Sequence, residues 1–328
     1  ELSAMSQPQP PLLDVRDFGL EFRTRSGTVH ALEHVDLQVA RGEIVGLVGE
    51  SGSGKSVLAY AIMGILDGAA RVTQGRALFG GLDLLQADES VLETYRGREL
   101  SMIFQSPRTA LNPIRKVGHQ IEDILRRHTS TLAVDLEARA VEALAQVRIP
   151  DPQRRYHAYP FELSGGMCQR IMIALALACT PSLLIADEPT TGLDVTTQSA
   201  IMNLIRELAR SRNMATVFIT HDLALAADYC DRIVVMHAGH VVESAPVKRL
   251  FQSPRHPYTR GLIAATPHGS AALTDLATIP GNLPDLRRSD LPACRFSSRC
   301  ERHQPACDVA LTLREIGPMH RVACRYPL

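Results

Sequence analysis

The 328-residue chain has no tryptophan, and aromatic residues make up only 5% of it. So few rings argue against a platform that stacks successive bases. An excess of one charge is also missing. Lys plus Arg number 35 and Asp plus Glu number 35, so no global positive field holds nucleic acid nonspecifically. No apolar run approaches the roughly 20 residues needed to span a bilayer. Any membrane association is therefore expected to come through a partner. Residues 1–10 are polar and Pro-rich. They read as a disordered tail without signal-peptide character, and Met5 is a candidate natural start. The seven cysteines are unevenly spread: Cys168, Cys179 and Cys230 are scattered, while Cys294, Cys300, Cys307 and Cys324 crowd the last 35 residues. In a secreted chain that crowding suggests disulfides, and in a cytosolic one a metal site.

What is present centres on Gly49-Glu50-Ser51-Gly52-Ser53-Gly54-Lys55-Ser56, which fits the G-x-x-x-x-G-K-[ST] phosphate-binding loop. An apolar run, residues 43–49, reads as the strand before it, and residues 56–66 read as the helix after it. The glycines allow backbone N–H groups to surround phosphate oxygens, and the helix N-terminus adds the positive end of a dipole. Lys55 is expected to neutralise β- and γ-phosphate charge, and the Ser56 hydroxyl to ligate Mg²⁺. A second apolar strand, Leu183-Leu184-Ile185-Ala186, ends in Asp187-Glu188. There Asp187 is a candidate Mg²⁺ ligand and Glu188 a candidate general base. A hydroxyl and two glycines, Ser164-Gly165-Gly166, open another helix, a second arrangement suited to phosphate.

Short alternating runs over residues 11–48 read as antiparallel strands beside the core. Residues 117–147 show helical stripes (Ile121, Ile124, Leu125; then Ala140, Val141, Leu144, Val147) and no strand signal, as an insertion would. Later strands are expected at 216–220 and as a hairpin about Ala238-Gly239. Alternating strands and helices with continuous apolar strands imply an α/β fold with a mainly parallel sheet. Beyond about Thr266 the periodicity fades. Such a segment cannot build much core alone, so a metal or docking onto the first domain must hold it.

The order of motifs is the phosphate loop, Gln105, Ser164-Gly165-Gly166, Asp187-Glu188, Leu193-Asp194 and His221. Over about residues 11–250 that series resembles the ATPase subunit of ABC transporters. The resemblance implies a P-loop NTPase core with an antiparallel β subdomain, a helical insertion carrying the signature motif, and a small Cys-rich C-terminal extension. The expected boundaries are 11–252 for the nucleotide-binding domain, with the helical part at about 106–180, and 253–328 for the extension. It implies that Gln105 senses Mg²⁺ and water. By the same resemblance Ser164, Gly165 and Gly166 contact the γ-phosphate of ATP held by an opposite subunit. Asp194 then lies at the dimer interface and His221 contacts the γ-phosphate. Phe22 is the candidate adenine-stacking ring, with core packing the equal alternative and His30 a weaker candidate. Cys168 reads as structural rather than redox-active.

The stretches 253–259, 105–113 and 159–164 also resemble the oligopeptide, dipeptide and nickel uptake group of these ATPases. The cysteine spacing, Cys294-x5-Cys300-x6-Cys307-x16-Cys324, lacks the paired C-x2-C knuckles of structural zinc. Four thiolates can hold one tetrahedral metal or one cubane cluster, and the resemblance implies a [4Fe–4S] cluster, with Zn²⁺ the alternative. A structural staple is the expected role. His128, His157, His268 and His303 read as surface residues, and Arg287, Arg288, Arg295, Arg299 and Arg302 as a solvated basic face.

The expected function is ATP hydrolysis that powers import of short peptides. It implies a second, related but distinct ATPase subunit, two transmembrane permease subunits, an extracytoplasmic substrate-binding protein, and a place on the cytoplasmic face of the inner membrane. Nickel chelates or another small solute are the alternative cargo. A soluble ABC-type ATPase acting on nucleic acid, or a metal-dependent binding module, are the other readings; no nucleic-acid partner is expected.

Overall fold

The computed structural model describes residues 10–266 and 278–328; the expected tail, apart from Pro10, and His268 lie outside them. The chain begins with a long hairpin, β1 (Leu13–Thr24) and β2 (Gly27–Val39). Together with β4 (Ala70–Phe79) and β5 (Leu82–Asp83) it makes a four-stranded antiparallel sheet of order β2-β1-β4-β5. β4 begins in a largely exposed stretch (Ala70–Gly75) and buries only its end, at Ala77 and Phe79.

The main sheet has eight strands in the order β11-β12-β10-β9-β3-β8-β7-β6. Its parallel part runs through β9 (Arg232–His237), β3 (Ile44–Val48), β8 (Ala215–Thr220), β7 (Leu183–Asp187) and β6 (Leu100–Ile103). These strands are apolar and buried on both faces, which is why their sequences run almost without polar interruption. The two-residue period still sorts them. Val45, Leu47, Ile185, Val217 and Ile219 face α1 (Lys55–Met63) and the antiparallel sheet. Ile44, Leu184, Ala186 and Phe218 face the helices α4 (Val117–His128), α5 (Leu136–Gln146), α7 (Gly165–Leu177) and α8 (Val195–Ser211). The helical stretch between β6 and β7 also holds α3 (Pro107–Ala110) and α6 (Pro152–Tyr156).

The C-terminal segment docks on this frame. β10 (His240–Pro246) pairs antiparallel with β9 and then with β12 (His320–Val322), which pairs with β11 (Arg314–Gly317). The two last strands have three and four residues, too few for a periodic signal. Phe296, at the start of the Cys-rich segment, packs into a third apolar cluster with Val235, Val242, Leu250 and Tyr258 of the core and of α11 (Pro257–Ala265). The buried Glu243 carboxylate accepts from the Arg255 and His256 amides (2.8 Å each) and faces His320 Nε2 at 2.7 Å.

Two expectations about surface residues are corrected. His128 is half-buried, its ring lying against Gly97. Arg295 and Arg299 are buried and paired, their side chains 1% and 3% exposed. The solvated basic face is thus limited to Arg287, Arg288 and Arg302.

Candidate active site

The phosphate loop joins β3 to α1. A Cβ on Gly49 would lie 2.1 Å from the Met236 carbonyl oxygen, so only glycine fits there. Gly54 caps α1 at φ +99, a conformation that glycine adopts at little cost and a residue with a Cβ does not. The Lys55 ammonium sits within the loop, donating to the Gly49 carbonyl (2.8 Å), the Glu50 carbonyl (2.9 Å) and Ser53 Oγ (3.3 Å). Burial pushes its pKa below the ordinary lysine value, against the pull of Glu188, Asp187 and Glu50. The N-terminal N–H groups of α1 and this ammonium therefore face the same small volume, an arrangement that attracts a polyanion.

Parallel strands deliver the remaining groups to one end of the sheet, the carboxyl end, where ligands of such folds bind. Asp187 closes β7 and is buried. Its Oδ1 accepts from Ser56 Oγ at 3.1 Å. Burial raises its pKa, and the neighbouring Glu188 adds to that. Glu188 follows at φ +44, a strained conformation for a side chain of this size. Its amide is tied to the Ile219 carbonyl at 3.0 Å. The turn aims the carboxylate at three partners: His221 Nδ1 at 3.1 Å, Gln105 Nε2 at 3.2 Å and Thr191 Oγ at 2.9 Å. Burial pushes the Glu188 carboxyl up. The bonds from His221 and Thr191, with the charges of His221 and Lys55, outweigh it and hold its pKa below the ordinary 4.5. The side chain is therefore an ionised acceptor at neutral pH. Facing a carboxylate, His221 Nδ1 carries the proton and Nε2 is left free.

A cleft of about 320 Å³ opens over these groups. Ser51, Gly52, Gly54, Lys55, Ser56, Gln105 and Glu188 line its polar part, and Phe22, Val29 and Leu286 lie on its apolar part. Phe22 is thus both at the cleft and partly packed on the core.

Ser164, Gly165, Gly166 and Asp194 do not line this cleft. They form a second surface. Ser164 Oγ caps α7 by accepting from the Met167 amide at 3.3 Å, and Asp194 caps α8 through the Thr197 amide at 3.0 Å and hydroxyl at 2.6 Å. The two caps adjoin, since a Cβ on Gly166 would meet Thr197 Cγ2 at 3.1 Å. Cys168 is buried, donates its thiol to the Pro160 carbonyl at 3.3 Å, and has its pKa raised by burial. It is an inert core residue, as expected.

Cys294, Cys300, Cys307 and Cys324 line one small cavity of about 20 Å³, and all are free thiols. Burial pushes Cys294 up to about 11 and raises Cys324. Among the described residues no three His, Cys, Asp or Glu side chains converge closely enough to hold a single metal ion.

Sequence reasoning missed four residues at the phosphate loop and the base of the cleft. Thr191 supports Glu188, Tyr258 Oη accepts from the Glu50 amide at 3.1 Å, Arg299 grips the Glu50 carboxylate, and Leu286 lines the cleft. Thr191 lies three residues beyond Glu188, a spacing that could have suggested a hydroxyl turning back on it. The other three carry no local signal.

Fold and site together define an ATP-binding, P-loop type of ATPase. The family comparisons narrow this. A family model described as "ABC transporter" matches residues 32–191, and one described as "Oligopeptide/dipeptide transporter, C-terminal region" matches residues 242–307. The probable D,D-dipeptide transport ATP-binding protein DdpD of Escherichia coli is 45% identical over 97% of both chains. The oligopeptide transport ATP-binding protein OppD of Salmonella typhimurium is 43% identical over 99% of this chain and 97% of its own. The dipeptide transport ATP-binding protein DppD of Escherichia coli is 44% identical over 97% of both. Among solved structures, the dimeric post-hydrolysis state of the ATP-binding cassette MJ0796, bound to ADP and Pi, aligns with TM-score 0.64 and 27% identity. It covers 72% of this chain and 98% of that one. The chain belongs to the ATP-binding subunits of ABC transporters, in the oligopeptide/dipeptide group.

Proposed function

We propose that this chain is the ATP-hydrolysing subunit of an importer of short peptides. The observation that carries the catalytic part is the convergence of Gln105, Thr191 and His221 on the ionised Glu188 beside the Ser56–Asp187 pair. The peptide cargo rests on the relatives named above. In this reading residues Gly49 to Ser56 hold the triphosphate, Lys55 neutralises its charge, and Glu188 accepts a proton from the attacking water. His221, through its free Nε2 side, faces the γ-phosphate, and Phe22 stacks on adenine. Ser56, Asp187 and Gln105 supply hard oxygen donors that fit Mg²⁺, which when bound neutralises phosphate charge.

Ser164, Gly165, Gly166 and Asp194 serve the other subunit. They lie on the surface away from their own cleft, so a partner facing head to tail would present the same groups to Lys55 and Ser56 here. Closure on ATP and opening on loss of the γ-phosphate then drive the permease. We place the nucleotide-binding domain at 11–252, its helical part at about 106–180, and the extension at 253–328. Among the described residues no helix is long and apolar enough to cross a membrane. This reading includes two permease subunits and an extracytoplasmic binding protein, with this chain peripheral on the cytoplasmic face. Exposed Ile114 and Phe161, 85% and 75% accessible, lie within the helical part and suit an apolar permease contact.

For the tail, four thiols lining one cavity form a donor set that fits a cluster. The cysteine spacing, without paired C-x2-C knuckles, favours a [4Fe–4S] group over Zn²⁺. Cys294, Cys300, Cys307 and Cys324 would hold it, and the group would staple a segment with little core of its own. Iron analysis with a visible spectrum tests this; a colourless zinc-loaded protein overturns it. The function itself is tested with the chain assembled with its permease subunits in vesicles. Dipeptide uptake that requires ATP and stimulates hydrolysis is expected. Stimulation by nucleic acid, or uptake of nickel chelates but not peptides, overturns it.

A further inference from the structure

The extension reaches the nucleotide cleft at two points. Arg299, one residue before Cys300, runs back beneath the phosphate loop with its side chain 3% exposed. Its Nη1 and Nη2 donate to Glu50 Oε2 (2.7 Å) and Oε1 (2.9 Å), a two-pronged pair that fixes orientation as well as charge. Its Nε donates to the Pro280 carbonyl at 2.8 Å. Glu50 is the second residue of the loop, and its own carbonyl accepts from Lys55 Nζ. Pro280 starts the segment that crosses the loop. Leu283 lies 3.4 Å from where a Cβ on Gly52 would stand. The Leu286 carbonyl accepts from the His30 amide at 2.9 Å, which pins that segment to β2. The Leu286 side chain then lies on the cleft with Phe22 and Val29.

We propose that the C-terminal extension is a working part of its own chain's nucleotide site: Arg299 positions the phosphate loop through Glu50, and Leu286 forms an apolar wall against the base and ribose. This rests on the cleft being the nucleotide site. The two contacts act on different parts of the ligand. Arg299 is buried, and its one contact with the phosphate loop is the Glu50 carboxylate, its other hydrogen-bond partners being the Pro280 carbonyl and His237 Nε2; it therefore acts on phosphate binding. Leu286 is an apolar lining residue of the cleft, tied to β2 beside Val29 and without a group that bonds phosphate, so it acts on the nucleoside. The arrangement makes the Cys-rich segment's docking a condition of full nucleotide affinity.

The full chain is titrated with a fluorescent ATP analogue, then competed with ATP and with inorganic tripolyphosphate. Arg299→Gln is expected to weaken both ligands about tenfold, the size of coupling between residues in direct contact. Arg299→Lys recovers only part of this, because an ammonium cannot bridge both oxygens. In a Glu50→Gln background the Arg299→Gln loss shrinks. Leu286→Ser, a half-buried position that spares the fold, weakens ATP severalfold and leaves tripolyphosphate unchanged. Folded variants with wild-type affinities, or Leu286→Ser weakening both ligands equally, overturn the proposal. Lys55→Ala separates it from the reading beneath it. If that variant binds ATP like the wild type, the nucleotide site is misassigned. If it loses ATP while the Leu286 and Arg299 variants do not change, only this inference fails.

Discussion

Replacing Glu188 by Gln removes one negative charge and keeps the side chain's length. The surroundings tolerate the change. His221 Nδ1–H, 3.1 Å from Oε1, still finds an acceptor in the amide oxygen. On the other side an NH₂ replaces Oε2, where Thr191 Oγ stands at 2.9 Å and Gln105 Nε2 at 3.2 Å. Thr191 accepts as readily as it donates, and Gln105 presents its oxygen after a flip. What is lost is the base. General-base catalysis contributes about 10²–10⁴-fold, roughly 3–5 kcal/mol of barrier. Nucleotide affinity depends instead on the loop, Lys55 and Ser56, and is expected to stay within about twofold, under 0.5 kcal/mol. The assay measures kcat at saturating ATP in the assembled transporter, with the Kd for a fluorescent ATP analogue measured in parallel. A fall in kcat by two to four decades at constant Kd supports the assignment. A fall of less than tenfold, or one that follows a weaker Kd, refutes it and returns Glu188 to a structural role.

Thr191→Val removes a donor that holds the Glu188 pKa below 4.5. Activity needs the ionised form, present above the folded-state pKa and lost as pH falls through it, so the acid limb of the pH–kcat profile moves upward in the variant; an unmoved limb contradicts the hydrogen bond's role. The same depressed pKa stabilises the native state above pH 4.5 and loses that contribution as pH falls through the folded value, so Glu188→Gln should narrow the stability difference between pH 7 and pH 4 in urea titrations. Ser164→Arg should abolish hydrolysis in the assembled transporter while the variant chain alone binds ATP normally, since Ser164 does not line its own cleft; loss of binding would argue against sharing between subunits. Glu243→Ala leaves the Arg255 and His256 amides without an acceptor and His320 without its partner. The cost is about 3 kcal/mol for such buried groups, read as lower denaturant stability and faster proteolytic release of the C-terminal segment, and an unchanged midpoint would refute it.

How legible each part was follows from how its chemistry is encoded. The phosphate loop needs consecutive backbone N–H groups, so its glycines and Lys55 must be contiguous, and they were readable. Asp187, Gln105 and His221 follow apolar strands, and parallel strands carry whatever follows them to one edge. Their convergence was expected from order alone, although the Thr191 hydroxyl that fixes the Glu188 carboxylate was not seen. β11 and β12 escaped because three or four residues with one exposed face do not establish a period.

Arg295 and Arg299 were misread for a different reason. A guanidinium in a polar, Pro-rich segment has the same local signature whether it is solvated or buried, and only the partner decides. Arg299 meets Glu50 across 249 positions of sequence. Arg295 meets the Ala238 carbonyl at 2.5 Å and Glu33 at 2.6 Å, across 57 and 262. Both arginines adjoin cysteines, at 294 and 300, so the residues that gather the thiols also drive two cations into the core beside the phosphate loop. A segment with almost no apolar core is thereby held by two buried arginines, each paired with a partly exposed carboxylate, as well as by β12 on β10. Removing either carboxylate is costly because it leaves a buried guanidinium without its counter-charge. The extension's attachment and the shape of the nucleotide loop therefore depend on the same side chains, and a change to one cannot leave the other untouched.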